Sequence, residues 1–180
     1  VSVREDEIIT FTRDNFNKIK NDNIVRRIFS EAVSEEEYRK SEHDLFLSFD
    51  DIEILKQNPL VRFGIHTQTH PVMMKLNYDE IFDEISGSLE FYKKRIKDDT
   101  PMFSIPFGRL FKDYDERTVI AAQGLSLQYI FSAYGGDNRK GQPDYNIRRF
   151  SVIEGVLDKG IDAFKKALED ISVEHEFILK

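Results

Sequence analysis

The chain has 180 residues, of which 40% are hydrophobic, and this is enough for one globular domain with an apolar core. Its net charge of −7 and isoelectric point near 5.2 argue against nucleic-acid binding, which needs a basic surface. Without cysteine it has no disulfide and no thiolate metal site, and no apolar run approaches the ~20 residues of a membrane span.

The first 46 residues are charged, and their apolar residues have a loosely helical spacing that predicts helices with polar faces. Ser34 is followed by three glutamates, which is typical of a helix N-cap with acidic residues in the first turn. Ser48, with Asp51 three positions later, predicts a second capped helix that continues through Leu55.

From residue 47 onward, the pattern predicts alternating strands and helices. We predict strands at 61–66, 102–106, 127–132 and 147–152, helices at 78–96, 113–123 and 160–170, a loop at 135–144, and a last strand or tail at 173–179. Asn77 is the predicted cap of the first of these helices, and Gly124 is the predicted end of the second. This alternation implies a mainly parallel sheet with helices outside, either open or closed as a barrel.

Two of the four histidines, His66 and His70, lie four positions apart at the end of the strand predicted at 61–66. Pro71 argues against a helix there, so we place both histidines at the strand end and on the loop that follows. Imidazole pairs suit a divalent metal such as zinc, although this spacing also arises by chance. The zinc-peptidase motif needs glutamate after the first histidine, and that position is Thr67.

Several segments follow in a fixed order, beginning with the helix start Leu47-Ser48-Phe49-Asp50-Asp51-Ile52 and continuing with the histidine segment. Its sequence is Phe63-Gly64-Ile65-His66-Thr67-Gln68-Thr69-His70-Pro71, and the later segments are Glu84-Ile85-Ser86-Gly87-Ser88-Leu89, Phe103-Ser104-Ile105-Pro106-Phe107-Gly108, Phe131-Ser132 and Ile147-Arg148-Arg149-Phe150. Together they resemble the polysaccharide deacetylases with the NodB homology domain, from about residue 47 to 152. The resemblance implies an α/β fold, a NodB-type distorted (β/α) barrel that is incomplete at its N-terminus, in one domain over residues 1–180.

The resemblance also implies a chemistry: metal-dependent hydrolysis of an N-acetyl, or less often O-acetyl, group on a carbohydrate. His66 and His70 would be ligands of a divalent metal, with zinc the expected ion, and Thr67 would brace their loop. The backbone N–H of Phe107 would stabilise the oxyanion. Pro106, Phe107 and Gly108 would together contact the substrate; the sequence of this turn alone favours an ordinary strand exit, and the histidine motif beside it favours the site.

The chain departs from the family in its first motif, Phe-Asp-Asp-Gly, which supplies a catalytic base and the third metal ligand. The only Phe-Asp-Asp is Phe49-Asp50-Asp51, which lacks the glycine and lies 15 positions before His66. We interpret Asp50 and Asp51 as first-turn carboxylates of a helix instead. The chain is then either a fragment or a natural, non-catalytic relative that binds a glycan.

Three further residues are assigned with alternatives left open. Ser104 stands where the family often has arginine, and Arg149 would supply that positive charge, unless it forms a surface ion pair. His175 is a candidate for the acid that protonates the leaving amine, but its acidic neighbours favour a solvent-exposed role. His43 is interpreted as a surface histidine for the same reason.

The expected partner is an acetylated glycan, with no nucleic acid and no membrane span, and the oligomeric state is left open. No targeting segment is visible in the sequence, so cytoplasm and bacterial cell envelope both stay possible. A third, weaker hypothesis is a structural α/β domain that binds neither metal nor sugar.

Overall fold

The computed structural model describes residues 33–97 and 101–133, together with the separate positions 15, 17, 18, 27, 30, 31, 138, 140, 141, 144, 145, 147–149, 160–162, 165 and 166. The chain divides into two compact units, Val1–Phe63 and Gly64–Lys180. One domain over residues 1–180 stays a prediction, because compactness alone does not report whether two units unfold cooperatively.

The first unit contains two described helices, α1 (Glu35–Leu45) and α2 (Phe49–Leu55). Both begin at the predicted serine caps. The Glu37 N–H donates to Ser34 Oγ at 3.2 Å, and the Asp51 N–H donates to Ser48 Oγ at 3.1 Å. The Asp51 carboxylate in turn accepts the Ser48 backbone N–H at 2.9 Å, which completes a capping box.

The second unit is built on a small parallel sheet. Its described elements are β1 (Gly64–Ile65), a 3₁₀ turn (Met73–Lys75), α3 (Tyr78–Arg95), β2 (Met102–Ser104), α4 (Glu116–Gly124) and β3 (Ile130–Phe131). The strands lie in the order β1-β2-β3, all parallel, with one helix in each crossover. A parallel bridge from Phe131 to Ile147 continues this order. The predicted α/β class with a parallel sheet is therefore confirmed, and closure into a barrel stays a prediction.

The core of the second unit lies between the sheet and α3. Ile65 pairs with Phe103, and Phe103 pairs with Ile130, so three fully buried side chains lie side by side across the strands. The buried face of α3 is the predicted one and consists of Ile81, Ile85, Leu89 and Tyr92. This helix contacts both β1 and α4. Asn77 caps it as predicted, by accepting the Glu80 N–H at 3.0 Å.

Helix α4 differs from its prediction at both ends. It begins at Glu116 instead of 113, because Asp115 takes the N-cap position and Asp113 is buried in an ion pair with Arg109. At the other end, Gly124 is still helical, and the left-handed residue that follows the helix is Ser126, with φ of 62°. The predicted glycine C-cap is therefore wrong. The three strands are also shorter than predicted.

Several predictions lie wholly or partly outside the described residues. These are most of the helices in 1–32, parts of the loop at 135–144 and of the strand at 147–152, the segment 173–179 with His175, and the side chain of His43. Of the described positions in the helix predicted at 160–170, 161, 162, 165 and 166 are helical and 160 is not. Within the described part of the chain, no helix is both long and apolar enough to cross a membrane.

Replacing Ile85 by alanine tests this core. Ile85 is fully buried on α3, so Ile85→Ala is expected to lower the free energy of unfolding by roughly 2–5 kcal/mol through lost burial and a residual cavity. Ile120 on α4 is 56% exposed and serves as the matched control. Chemical denaturation should show a loss for Ile120→Ala well below that for Ile85→Ala, and equal losses would contradict the core assignment.

Candidate functional site

His66 leaves the sheet directly after β1, and a hydrogen bond to the next strand fixes its ring. Its Nδ1 lies 2.6 Å from the backbone carbonyl oxygen of Ser104 at the end of β2. A carbonyl only accepts, so Nδ1 carries the proton and donates it. In the neutral ring, the lone pair is then on Nε2, which is the nitrogen available to a ligand.

His70 lies beside His66, on the loop that follows β1. The two ring centroids are 4.7 Å apart, and the ring planes are inclined by 70°. His70 also contacts the Phe107 ring, at a centroid distance of 4.8 Å. Two imidazoles on one tetrahedral zinc have centroids roughly 5 Å apart, given Zn–N bonds near 2 Å. The pair is thus spaced as two ligands of one metal ion would be.

The loop between the histidines has an unusual backbone. Thr67 and His70 both have positive φ, of 66° and 56°, and a β-branched residue such as threonine rarely adopts this conformation. The Thr67 hydroxyl holds the turn together, since it donates to the His66 carbonyl and accepts the His70 N–H at 3.1 Å. The predicted bracing role of Thr67 is therefore confirmed. Backbone strain of this kind is concentrated at functional sites.

Glu84, on α3, binds the same loop from the helix side. Its Oε2 accepts the backbone N–H groups of Gln68 at 3.0 Å and Thr69 at 2.9 Å, and its Oε1 accepts the Thr69 hydroxyl. Sequence reasoning placed Glu84 only in a helix of the family pattern and assigned it no role.

The Gln68 side chain lies across α3 at Gly87. Its Nε2 donates to the Asp83 carbonyl at 2.9 Å, and a Cβ at position 87 would lie 2.1 Å from that nitrogen. A glycine inside a helix lowers stability relative to alanine, so its presence there indicates close packing. Gly87 was therefore the sequence signal that could have drawn attention to this face of α3, and to Glu84 one turn before it.

The turn after β2 forms the next part of the site. Phe107 has φ of 58°, and the Gly108 N–H donates back to the Pro106 carbonyl at 2.6 Å, as in a γ-turn centred on Phe107. Gly108 also has positive φ, at 73°, and a Cβ there would lie 2.4 Å from the Ala133 backbone nitrogen. This turn holds the Phe107 ring against His70.

Arg149 reaches the end of β3. Its Nε donates to the Ser132 carbonyl at 2.8 Å, and partial burial lowers the pKa of its guanidinium. Its positive charge also acts on His66. The predicted role of Arg149, to supply a positive charge near a catalytic base, stays a prediction.

The surroundings of His66 favour its neutral form. Desolvation by the neighbouring protein atoms is the main cause that lowers its pKa, and the positive charges of His70 and Arg149 lower it further. The hydrogen bond to the Ser104 carbonyl raises the pKa, and its effect is smaller than that of desolvation but larger than that of either charge. A neutral imidazole is the form that binds a metal.

These residues fit two positions of a metal site. The orientation of His66, its neutral form and the spacing to His70 suit a borderline cation such as zinc. Across the described positions, no cluster of three or more His, Cys, Asp or Glu residues could hold a metal ion. Asp50 and Asp51 lie in the first turn of α2, and Asp51 belongs to its capping box, as their interpretation as helix carboxylates requires.

Comparison with known proteins gives one family and one fold match. A family model described as polysaccharide deacetylase matches residues 39–130, just over half of the chain. No curated protein matches the chain.

The fold match is the structure of the Streptococcus pyogenes deacetylase PplD in complex with acetate, with a TM-score of 0.55 and 20% sequence identity. It covers 61% of this chain and 46% of that chain, so this chain spans just under half the length of that protein. At this identity the match shows a shared fold.

In the metal-free protein, His66 is expected to titrate below about 6.5, the usual pKa of histidine in an unstructured peptide. As pH falls below this value, the unfolded chain takes up the proton before the folded one, so the free energy of unfolding decreases until the folded-state pKa is passed. Imidazole NMR signals followed against pH would measure this, and a pKa at or above the usual value would contradict it.

A second variant separates the causes of this pKa shift. Arg149→Met removes one of the charges that act on His66 and should raise the His66 pKa. Arg148→Met is the matched control, since it removes an adjacent charge that is not among those causes, and it should leave the His66 pKa where it is. The same NMR titration reports both variants.

Proposed function

The chain belongs to the polysaccharide deacetylase family, and on this basis we propose that it acts in the hydrolysis of acetyl groups, foremost N-acetyl groups, on a carbohydrate, with a divalent metal held by His66 and His70. The single observation that supports the metal most strongly is the paired arrangement of the two imidazoles. The Ser104 carbonyl fixes His66 with Nδ1 protonated, 4.7 Å from the His70 ring.

The two histidines would hold the metal from the loop after β1, with zinc the expected ion because imidazole suits it. When bound, such an ion polarises the acetyl carbonyl and lowers the pKa of its water. The Ser104 carbonyl keeps His66 in one tautomer and one orientation, and this raises the basicity of the nitrogen that faces away from the sheet.

The turn at Pro106, Phe107 and Gly108 would form the wall against which the acetyl group binds. Its backbone is held in an uncommon conformation before substrate arrives, because Phe107 and Gly108 both have positive φ. A backbone N–H of Phe107 directed at the developing oxyanion would contribute roughly 3 kcal/mol of transition-state stabilisation. Since that donor belongs to the backbone, Phe107→Ala would cost less than the loss of a histidine.

Arg149 would provide a fixed positive charge next to the metal ligands. In the family, an arginine at the position of Ser104 often provides this charge. Arg149 is anchored to the Ser132 carbonyl, so its guanidinium is held at the end of β3. Such a charge would favour the ionised form of a carboxylate base.

Zinc titration by calorimetry tests the metal assignment. The chain should bind zinc, and both His66→Ala and His70→Ala should abolish that binding because two imidazoles are the proposed ligands. His43→Ala is the matched control and should leave zinc affinity unchanged. Equal affinity in the wild type and in the His66→Ala variant would contradict the assignment. Acetate release from an N-acetylated oligosaccharide, lost in the same two variants, would support the hydrolytic function.

Asp51→Asn separates the capping role of this aspartate from a role as metal ligand. As the partner of Ser48 in the capping box, Asp51 contributes to α2, and its replacement should lower the free energy of unfolding by about 1 kcal/mol or less. Zinc affinity should then stay as in the wild type. A loss of zinc affinity comparable to that of His66→Ala would instead make Asp51 the third ligand.

A further inference from the structure

We propose that Glu84 is the positioning residue that holds His70 in place beside His66. This inference rests on the proposed function, since the two histidines are the proposed metal ligands. Glu84 lies on α3, outside both the histidine segment and the turn after β2.

The Glu84 carboxylate binds several groups of the loop between the histidines. Glu84 accepts two consecutive backbone N–H groups, those of Gln68 and Thr69, and also the hydroxyl of Thr69. These two residues are the centre of the loop between Thr67 and His70. Charge-assisted hydrogen bonds are the stronger kind, so this carboxylate fixes the middle of the loop to a rigid helix.

The loop must also keep an uncommon backbone conformation. Thr67 and His70 flank the bound segment, and both have positive φ without being glycine. Such conformations persist only where the surroundings determine them. Within the loop, the Thr67 hydroxyl accepts the His70 N–H. Glu84 adds an anchor from a different element, fifteen and sixteen residues further along the chain.

An adjacent contact on the same helix also holds the loop. The Gln68 side chain donates to the Asp83 carbonyl and occupies the space that a side chain at position 87 would fill. Both the backbone of the loop and one of its side chains therefore bind the same turn of α3. Glu84 is not assigned as a metal ligand, because both of its oxygens already accept hydrogen bonds from the loop.

The experiment compares Glu84→Ala and Glu84→Gln with Glu90→Gln. Glu90 is an exposed carboxylate on the same helix and is the matched control. In the metal-free protein, the Gln68 and Thr69 amides should exchange with solvent about tenfold faster or more in Glu84→Ala, as local opening becomes easier. The nuclear Overhauser effect between the His66 and His70 rings should weaken. Glu84→Gln should show intermediate values, and Glu90→Gln should match the wild type.

Zinc affinity provides the second readout. It should fall about 10- to 100-fold in Glu84→Ala, the usual range for outer-shell partners of metal ligands. Unchanged amide exchange and ring contacts in Glu84→Ala would overturn the positioning role. If the wild type binds no zinc, the proposed metal site fails, while the metal-free measurements still decide whether Glu84 positions His70.

Gly87→Ala is an independent variant that leaves Glu84 intact. Alanine normally stabilises a helix interior relative to glycine, but here its Cβ would displace the side-chain amide of Gln68. Faster solvent exchange of the Gln68 backbone N–H, together with a weaker contact between the His66 and His70 rings, would support packing of the loop on α3. Gly124→Ala, where nothing lies within 4 Å of the added carbon, is the control. An unchanged ring contact in both Gly87→Ala and Glu84→Gln would overturn the proposal.

Discussion

The alignment of β1 with β2 is the constraint on which the candidate site depends. Gly64 pairs with Met102 and Ile65 with Phe103, so His66 follows β1 at the level where Ser104 ends β2. The hydrogen bond between His66 and the Ser104 carbonyl is a direct result of this register. A slip by one residue would turn His66 toward the opposite face of the sheet and remove the bond. The apolar core and the orientation of the first imidazole are therefore specified together.

Each strand of the described sheet contributes to the site at its carboxyl end. β1 is followed by His66, the carbonyl of Ser104 ends β2, and the carbonyl of Ser132 after β3 binds Arg149. In parallel sheets, these ends lie at one edge, and ligands bind there. Short strands suffice, because only the last residue of each strand has to be placed accurately. Uncommon backbone conformations occur in the turns beyond that edge, at Thr67, His70 and Phe107, and also after α3 and α4, at Lys97 and Ser126.

The sequence allowed good prediction of those features that rest on local chemistry. Asn77 and Ser48 cap their helices as predicted, and the buried face of α3 follows its 3.6-residue period. The histidine pair was found because a strand pattern, two imidazoles and Pro71 occur together. By contrast, the start of α4 was misplaced, since the pairing of Asp113 with Arg109 depends on the folded turn. A local pattern does not report that a carboxylate is already bound.

The contacts of Glu84 show a second limit of the sequence. A glutamate on the outer side of an amphipathic helix looks like any solvated residue, and its partners lie fifteen and sixteen positions away. Nothing in helical spacing predicts those partners. Gly87, in the middle of α3, was the unusual feature of the sequence. The sequence alone does not tell which side chain packs on it. Sequence periodicity therefore does not predict long-range polar contacts between a helix and a loop.

The packing of Gln68 on Gly87 has a consequence for how these two positions can vary. A larger residue at 87 requires a shorter one at 68, because the two compete for the same volume beside α3. Substitutions at the two positions should therefore be coupled and not additive, as expected for residues in contact. Among relatives of this chain, positions 68 and 87 would be expected to change together. Glycine should be retained at position 87 wherever position 68 carries a long side chain.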